Sequence, residues 1–232
     1  MDGLEDIKEK LYFNAVTYLE GCNVWVINVN QIRCYFQQIV KTLSQEEITR
    51  SNVIKNKKIR ELFCLRKGIT RILISEYLEI NYWEICYYYN EYNKPYVYCN
   101  NNQKIYFNIS HSKEYLVIGI SKAHEIGVDV EKIVLKPRTL PKEIFTYQEL
   151  QLFNKYDEIY KNQAAYKMWV QKEAICKALG VGITIELNQF SVRVNPCLGY
   201  QEYYIYVDSF KCHIKVKVYL KNEYAFAIAL IK

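Results

Sequence analysis

The sequence predicts an α+β protein of two similar halves, each a mainly antiparallel sheet with a packed helix. Three observations lead there. Short alternating or wholly apolar stretches rich in Val, Ile, Tyr and Phe recur along the chain as strands do. Two longer helical patterns, over 43–80 and 143–180, stand apart from them. The order strand, helix, strands occurs once before and once after a seam near residues 122–137, without a repeat in sequence or a low-complexity linker. The halves divide as 1–123 and 124–232.

Taken in order, "CNVWVINVNQI" (22–32) alternates in strand fashion. The stretch 43–80 reads as one basic helix: Ser44 and Glu47 have capping-box spacing, and Ile59, Leu62, Phe63, Arg66, Ile69 and Leu73 recur at helical intervals. "WEICYYYNEYNKPYVYC" (83–99) and "IYFNIS" (105–110) are short strands, with a turn carrying Asn93 and Pro95. "YLVIGISK" (115–122) and "EIGVDVEKI" (125–133) are two more, joined at 123–125. After Pro137 and Pro141 the pattern turns helical, ending at Gly180 as a C-cap. The tail returns to strands at "FSVRV" (190–194), "YYIYVDSF" (203–210), "HIKVKVYL" (213–220) and "YAFAIALI" (224–231).

At 232 residues the chain can bury a substantial core. Its 31 basic and 25 acidic residues give a net charge of +6, which suits an acidic partner or a phosphorylated ligand without requiring nucleic acid. The 8 cysteines form no C-x-x-C and lie away from zinc-ligand spacing, so they fit a reducing compartment. The 23 tyrosines occur in both halves of the chain, and base-composition bias accounts for their number. "MDGLEDIKEK" is charged where a signal peptide would be apolar, and no run reaches membrane-spanning length. A soluble, cytoplasmic protein without a membrane partner is expected.

The chemistry concentrates in three places. In "GVDVE" (127–131), Asp129 and Glu131 share one strand face, roughly 6–7 Å apart, while Val128 and Val130 face a core. Paired carboxylates repel, and a hard cation such as Mg²⁺ would relieve them; a strand with an acidic solvent face is the simpler alternative. In "WVQKEAICKALGVG" (169–182), helical spacing puts Tyr166, Val170, Glu173 and Lys177 on one stripe, with Trp169 on an apolar neighbour. Glu173 and Lys177 could equally form a common i, i+4 ion pair. In "FNISHS" (107–112), His111 between Ser110 and Ser112 offers donors to a phosphate, or is an ordinary loop histidine. The chain has no H-E-x-x-H, no P-loop, no G-x-G-x-x-G and no G-x-S-x-G, which removes zincin, P-loop, Rossmann and serine-hydrolase readings.

The order of these pieces carries more than each alone. N-K-P (93–95), F-N-x-S-H-S (107–112), G-V-D-V-E-K (127–132), F-T-x-x-E (145–149) and W-x-x-K-E-A-x-x-K-x-x-G-x-G (169–182) together resemble the 4′-phosphopantetheinyl transferase family, in its longer, surfactin-synthetase-activating type. The resemblance implies a fold of two halves related by a pseudo-twofold, with coenzyme A in the cleft between them. It implies transfer of the 4′-phosphopantetheine arm to a serine of an apo acyl or peptidyl carrier protein, with release of 3′,5′-ADP. By position, Asp129, Glu131 and Glu173 match the Mg²⁺ ligands. Lys177 matches a lysine beside the phosphates, and Glu149 an acid that organises the base. His111 after Ser110 matches a contact to the coenzyme's 3′-phosphate, and Lys94 a coenzyme-binding lysine. Glu173, a water it orients, or a water on the ion would take the serine proton.

Two departures stand out. Asn93 replaces the usual glycine, a change asparagine's tolerance of positive φ accommodates. The phosphate-gripping arginines upstream have no fixed register; Arg66 is the choice among Arg60, Arg66, Lys67 and Arg71, with Arg50 another contact. Both halves of the cleft lie in one chain, so a monomer is expected. The alternatives are another Mg²⁺-dependent phosphate enzyme, such as a nuclease, and a non-catalytic carrier-binding relative.

Overall fold

The computed structural model describes residues 4–13, 15–19, 21–98, 103–134, 142–182 and 186–232. Cys99, Pro137 and Pro141 lie outside the described residues. Along the chain run α1 (Leu4–Phe13), β1 (Ala15–Leu19), β2 (Cys22–Asn28), α2 (Phe36–Val40), α3 (Gln45–Asn52) and α4 (Lys57–Leu78). There follow β3 (Tyr88–Tyr89), β4 (Pro95–Tyr98), β5 (Lys104–Ser112), β6 (Tyr115–Ser121) and β7 (Ile126–Lys132). The remainder is α5 (Tyr147–Lys155), α6 (Glu158–Leu179), β8 (Tyr200–Val207), β9 (Cys212–Lys221) and β10 (Tyr224–Ile231).

Alternation within the strands builds the layers. The first sheet has the order β1-β2-β6-β5-β4-β3 and the second β7-β10-β9-β8, every pairing antiparallel. In β2, Trp25 and Ile27 pack with Leu65, Ile69 and Ile72 of α4, while Val24 and Val26 face the other way. In β10, Ala225, Ala227 and Ala229 lie in the core that holds α6, while Phe226, Ile228 and Leu230 face away. The two outward sets meet: Val24, Val26 and Val117 of the first sheet form one core with Val128, Val130, Phe226 and Ile228 of the second. The result is a helix–sheet–sheet–helix sandwich whose two outer helices, α4 and α6, have 22 residues each.

Two expectations are corrected. The stretch 43–80 is two helices rather than one. Ser44 and Glu47 do form the capping box of α3, but Asn56 sits in extended backbone (φ −74°, ψ 116°) and its side chain accepts from the Ile59 amide, which starts α4 anew. "FSVRV" is not a strand. Two of its amides are taken by side chains instead: Val192 N–H donates to Glu149 Oε1 (2.7 Å) and Arg193 N–H to the Tyr203 hydroxyl (2.9 Å). Among the described residues no helix is long and apolar enough to cross a membrane.

Candidate active site

β7 is an edge strand, paired to β10 on one side, and α6 lies across it. The approach is unusually close because of Gly127. A Cβ there would stand 2.0 Å from the Ala174 carbonyl oxygen and 2.3 Å from the Ala178 amide nitrogen, so only glycine allows this contact. The effect is to bring Trp169, Glu173 and Lys177 of α6 over the face of β7 that carries Asp129 and Glu131. These five residues line a cavity of about 330 Å³, closed by Ile109, Ser110 and His111 of β5. The α6 stripe is therefore Trp169–Glu173–Lys177 at i, i+4 and i+8, whereas Tyr166 and Val170 are buried in the C-terminal core.

Asp129 is the centre of the arrangement, at 5% exposure. Its Oδ1 accepts from Lys177 Nζ (2.6 Å) and from Ser110 Oγ (2.7 Å). Its Oδ2 is buried and accepts no hydrogen bond. A buried, unpartnered carboxylate oxygen is costly, and such exceptions call for a ligand or a water. Burial pushes the Asp129 carboxyl above the ordinary carboxylate range, against the opposing pull of Lys177 and Ser110. Lys177 also reaches Ser110 Oγ (3.1 Å) and the Val128 carbonyl (3.3 Å), so its ammonium is held at the cavity wall. Glu131 Oε2 accepts from Ser112 Oγ (3.2 Å). The three acids expected as Mg²⁺ ligands thus share one cavity. Among the described residues, however, no three His, Cys, Asp or Glu side chains form a ready-made metal cluster.

A second cavity, of about 360 Å³, adjoins the first through Ile109 and His111 and is lined on the α4 side by Arg66, Lys67 and Phe63. Arg66 Nε is buried without a hydrogen-bond partner, while Nη2 donates to the Lys113 carbonyl (3.4 Å). Burial, reinforced by Arg66, holds the His111 imidazole below its ordinary range. Cationic and neutral donors thus converge on a pocket that an anion would complete.

Other expected site residues lie elsewhere or point elsewhere. Ser110 turns its hydroxyl to Asp129. Asn93 has φ 63°, so the turn before Lys94 keeps its glycine-like shape. Lys94 itself lines neither cavity: its ammonium contacts Glu125 and donates to the Ala178 carbonyl (2.8 Å) near the end of α6. Glu149 is a buried packing group. It accepts from Thr146 N–H (2.8 Å) as a helix cap, accepts from Val192 N–H, and pairs with buried Lys172 at 2.9 Å. Arg71 is spent in the same way, on Glu47 (2.6 Å) and the Tyr82 carbonyl (2.8 Å). Arg60 lines a separate groove beside α2, and Arg50 a cavity shared with Glu47 and Lys67. Reading the sequence alone missed Asn108, and it took Ser112 for a phosphate donor where the structure turns it to Glu131; both stand with Ser110 at alternate positions of β5. The i, i+2, i+4 polar face was their only signal.

Comparison with known proteins points to one family. Residues 125–229 match the profile of the 4′-phosphopantetheinyl transferase superfamily, and residues 28–123 that of the 4′-phosphopantetheinyl transferase N-terminal region. A putative 4′-phosphopantetheinyl transferase of Synechocystis sp. is 32% identical over 149 residues, 63% of this chain and 61% of that relative. The 4′-phosphopantetheinyl transferase HetI of Nostoc sp. is 27% identical over 188 residues, 79% of this chain and 78% of the relative. The 4′-phosphopantetheinyl transferase ffp of Bacillus subtilis is 33% identical over 170 residues, 67% and 73% of the two chains.

Proposed function

The chain belongs to the 4′-phosphopantetheinyl transferase family, and from that premise we propose that it moves the phosphopantetheine arm of coenzyme A onto a serine hydroxyl of an apo acyl or peptidyl carrier protein, releasing 3′,5′-ADP. The observation that carries this reading is the buried Asp129 Oδ2, unpartnered in a cavity lined also by Glu131, Glu173 and Lys177. An all-oxygen donor set of this kind fits a hard divalent cation. Asp129, Glu131 and Glu173 would hold Mg²⁺, which when bound neutralises charge on the diphosphate oxygens.

The chain's own residues do the rest. Lys177, anchored on Asp129 by its 2.6 Å contact, presents a positive charge to the departing ADP. Glu173, or a water it orients, receives the proton of the carrier serine. His111 and Arg66 take the 3′-phosphate in the adjoining cavity, where Arg66 Nε has a donor to spare. Lys94, Ser110 and Glu149 act through position: Lys94 on the end of α6, Ser110 on Asp129, Glu149 on Lys172. The working form is a cytoplasmic monomer, with 1–123 supplying the basic helix and 124–232 the acids.

Mass spectrometry of several apo carriers incubated with coenzyme A and Mg²⁺ tests the reading. One phosphopantetheine on one serine is expected. Carriers left unmodified across acyl and peptidyl classes would overturn it, and cleavage of added nucleic acid would replace it with a nuclease.

A further inference from the structure

β7 pairs with β10 on one edge, so the amides along its other edge need partners from outside the sheet. They find them on β5, in side chains rather than backbone. Val128 N–H donates to Asn108 Oδ1 (2.9 Å), Val130 N–H to Ser110 Oγ (3.4 Å) and Lys132 N–H to Ser112 Oγ (3.1 Å). Three residues at alternate positions on one strand thus satisfy three amides at alternate positions on another. The two serines do more. Ser110 donates its proton to Asp129 Oδ1 (2.7 Å), and Ser112 donates to Glu131 Oε2 (3.2 Å). Each hydroxyl therefore accepts from one β7 amide and donates to the carboxylate of the residue before it.

From this repeat we propose that Ser110 and Ser112 are positioning residues: a serine ladder that fixes one oxygen of each β7 acid and so aims the pair at the cavity. A hydroxyl has one proton, and the amide contact directs its lone pair at the backbone, which leaves the proton for the acid. Two like charges at alternate positions of one strand would otherwise swing apart. The ladder opposes that motion, and its anchor is the backbone of the strand that carries the acids. Asp129 keeps Oδ2 uncommitted as a result. The serine–histidine–serine run then divides its work between two faces of β5. The serines meet β7, and His111, between them, faces the cavity with Arg66. The carboxylate half of this proposal rests on the transferase reading above, while the amide half does not.

Ser112 is the sharper test, because Ser110 also touches Lys177. The paired variants are Ser112→Thr, which keeps the hydroxyl, and Ser112→Val, its isostere without one. Calorimetric titration of the full chain with Mn²⁺, without coenzyme or carrier, reads the acids directly. Ser112→Val is expected to weaken Mn²⁺ binding about tenfold, the low end of what loss of a ligand-orienting partner costs. Ser112→Thr is expected to bind as the wild type does. Hydrogen exchange supplies a metal-free readout: the Lys132 amide should exchange faster in Ser112→Val, with the Val128 amide unchanged. Unaltered Mn²⁺ binding and unaltered Lys132 exchange in Ser112→Val overturn the ladder while leaving the transferase intact. A wild-type chain that takes up no Mn²⁺ overturns the metal reading and the ladder's carboxylate half with it.

Discussion

Lys177 and Asp129 form an unequal pair. The carboxylate is almost fully buried, whereas the lysine side chain keeps 28% of its exposure. Losing the lysine therefore strands a buried charge, while losing the acid frees a cation that water can reach. Lys177→Met should destabilise the protein by about 1–3 kcal/mol, the cost of an unsatisfied buried group, and depress turnover more than coenzyme affinity. Adding Asp129→Asn to that variant should restore most of the stability and none of the turnover, as denaturant titration and kinetics would show. A Lys177→Met protein as stable as wild type would remove the pair from the argument. His111 gives a pH prediction at the same scale. Its folded-state pKa lies below 6.5, so the unfolded chain takes up a proton first as pH falls. Its contribution to stability is thus lost as pH drops through the ordinary histidine range, and is unchanged above it. A bound 3′-phosphate should reverse the shift. NMR titration of the imidazole with and without 3′,5′-ADP tests both, and a ligand-free value above 6.5 would contradict the geometry. Spacing made two pairs legible, Asp129 with Glu131 on one strand face and Glu173 with Lys177 on one helix stripe, whereas joining the pairs to each other and to His111 came from the family resemblance carried by the order of the motifs. Lys94 and Glu149 were not legible, since a motif names a charged residue without saying whether its charge meets a ligand or a neighbouring helix.

At the scale of elements, α6 explains why its sequence reads ambiguously. It is buried on several sides, and two of its lysines are buried with it. Lys167 donates to the carbonyls of Asn195 (2.7 Å) and Leu198, and Lys172 to those of Leu187 (2.6 Å) and Phe190 (2.7 Å). These letters look like a solvated face but fasten the segment between α6 and β8. In the same segment Glu149 and Tyr203 take the Val192 and Arg193 amides of "FSVRV", which is why its strand-like alternation produced no strand. The split of 43–80 was hidden similarly, because Val53 and Ile54 bridge the gap between α3 and α4 with apolar letters. The Glu149–Lys172 pair belongs to this fastening. Glu149→Ala should cost about 3–5 kcal/mol, as breaking a buried ion pair does, with near-normal turnover per folded molecule. A stable but inactive Glu149→Ala would return the residue to the chemistry. Gly127→Ala should behave in the opposite way. Its Cβ meets backbone of α6 rather than a flexible side chain, so α6 must shift, and a shift of about 1 Å costs on the order of 100-fold in rate. Turnover should collapse while far-ultraviolet circular dichroism stays helical. Wild-type turnover would show that Glu173 and Lys177 need no such close seat.

At the scale of the whole molecule, the site exists only while the two sheets stay docked, because β5 and α4 come from one half and β7 and α6 from the other. The docking has an apolar part, the shared core of Val24, Val26, Val117, Val128, Val130, Phe226 and Ile228. It also has a polar clamp at one end. Asn90 donates to the Gly180 carbonyl (2.9 Å), and Lys94 to Ala178, so the turn at 90–95 grips the C-terminus of the helix that carries Glu173 and Lys177. A cation at a helix C-terminus is favourable in itself, and burial lowers the pKa of Lys94 while Glu125 opposes that shift. The sequence suggested two halves with a seam but gave no sign that the two sheets share a buried apolar core, since outward strand faces look alike whether they meet water or each other. Because opening either sheet alone would expose this shared core, unfolding should be a single cooperative event. Hydrogen exchange in low denaturant should then give β6 and β10 amides the same opening free energy. Lys94→Met, which removes the clamp but no core residue, should lower both by the same amount, about 1–3 kcal/mol for the Ala178 carbonyl left without its donor. If β10 opened below β6, or if Lys94→Met loosened one sheet alone, the halves would be independent units. The site between them would then be assembled by its ligand rather than held ready by the fold.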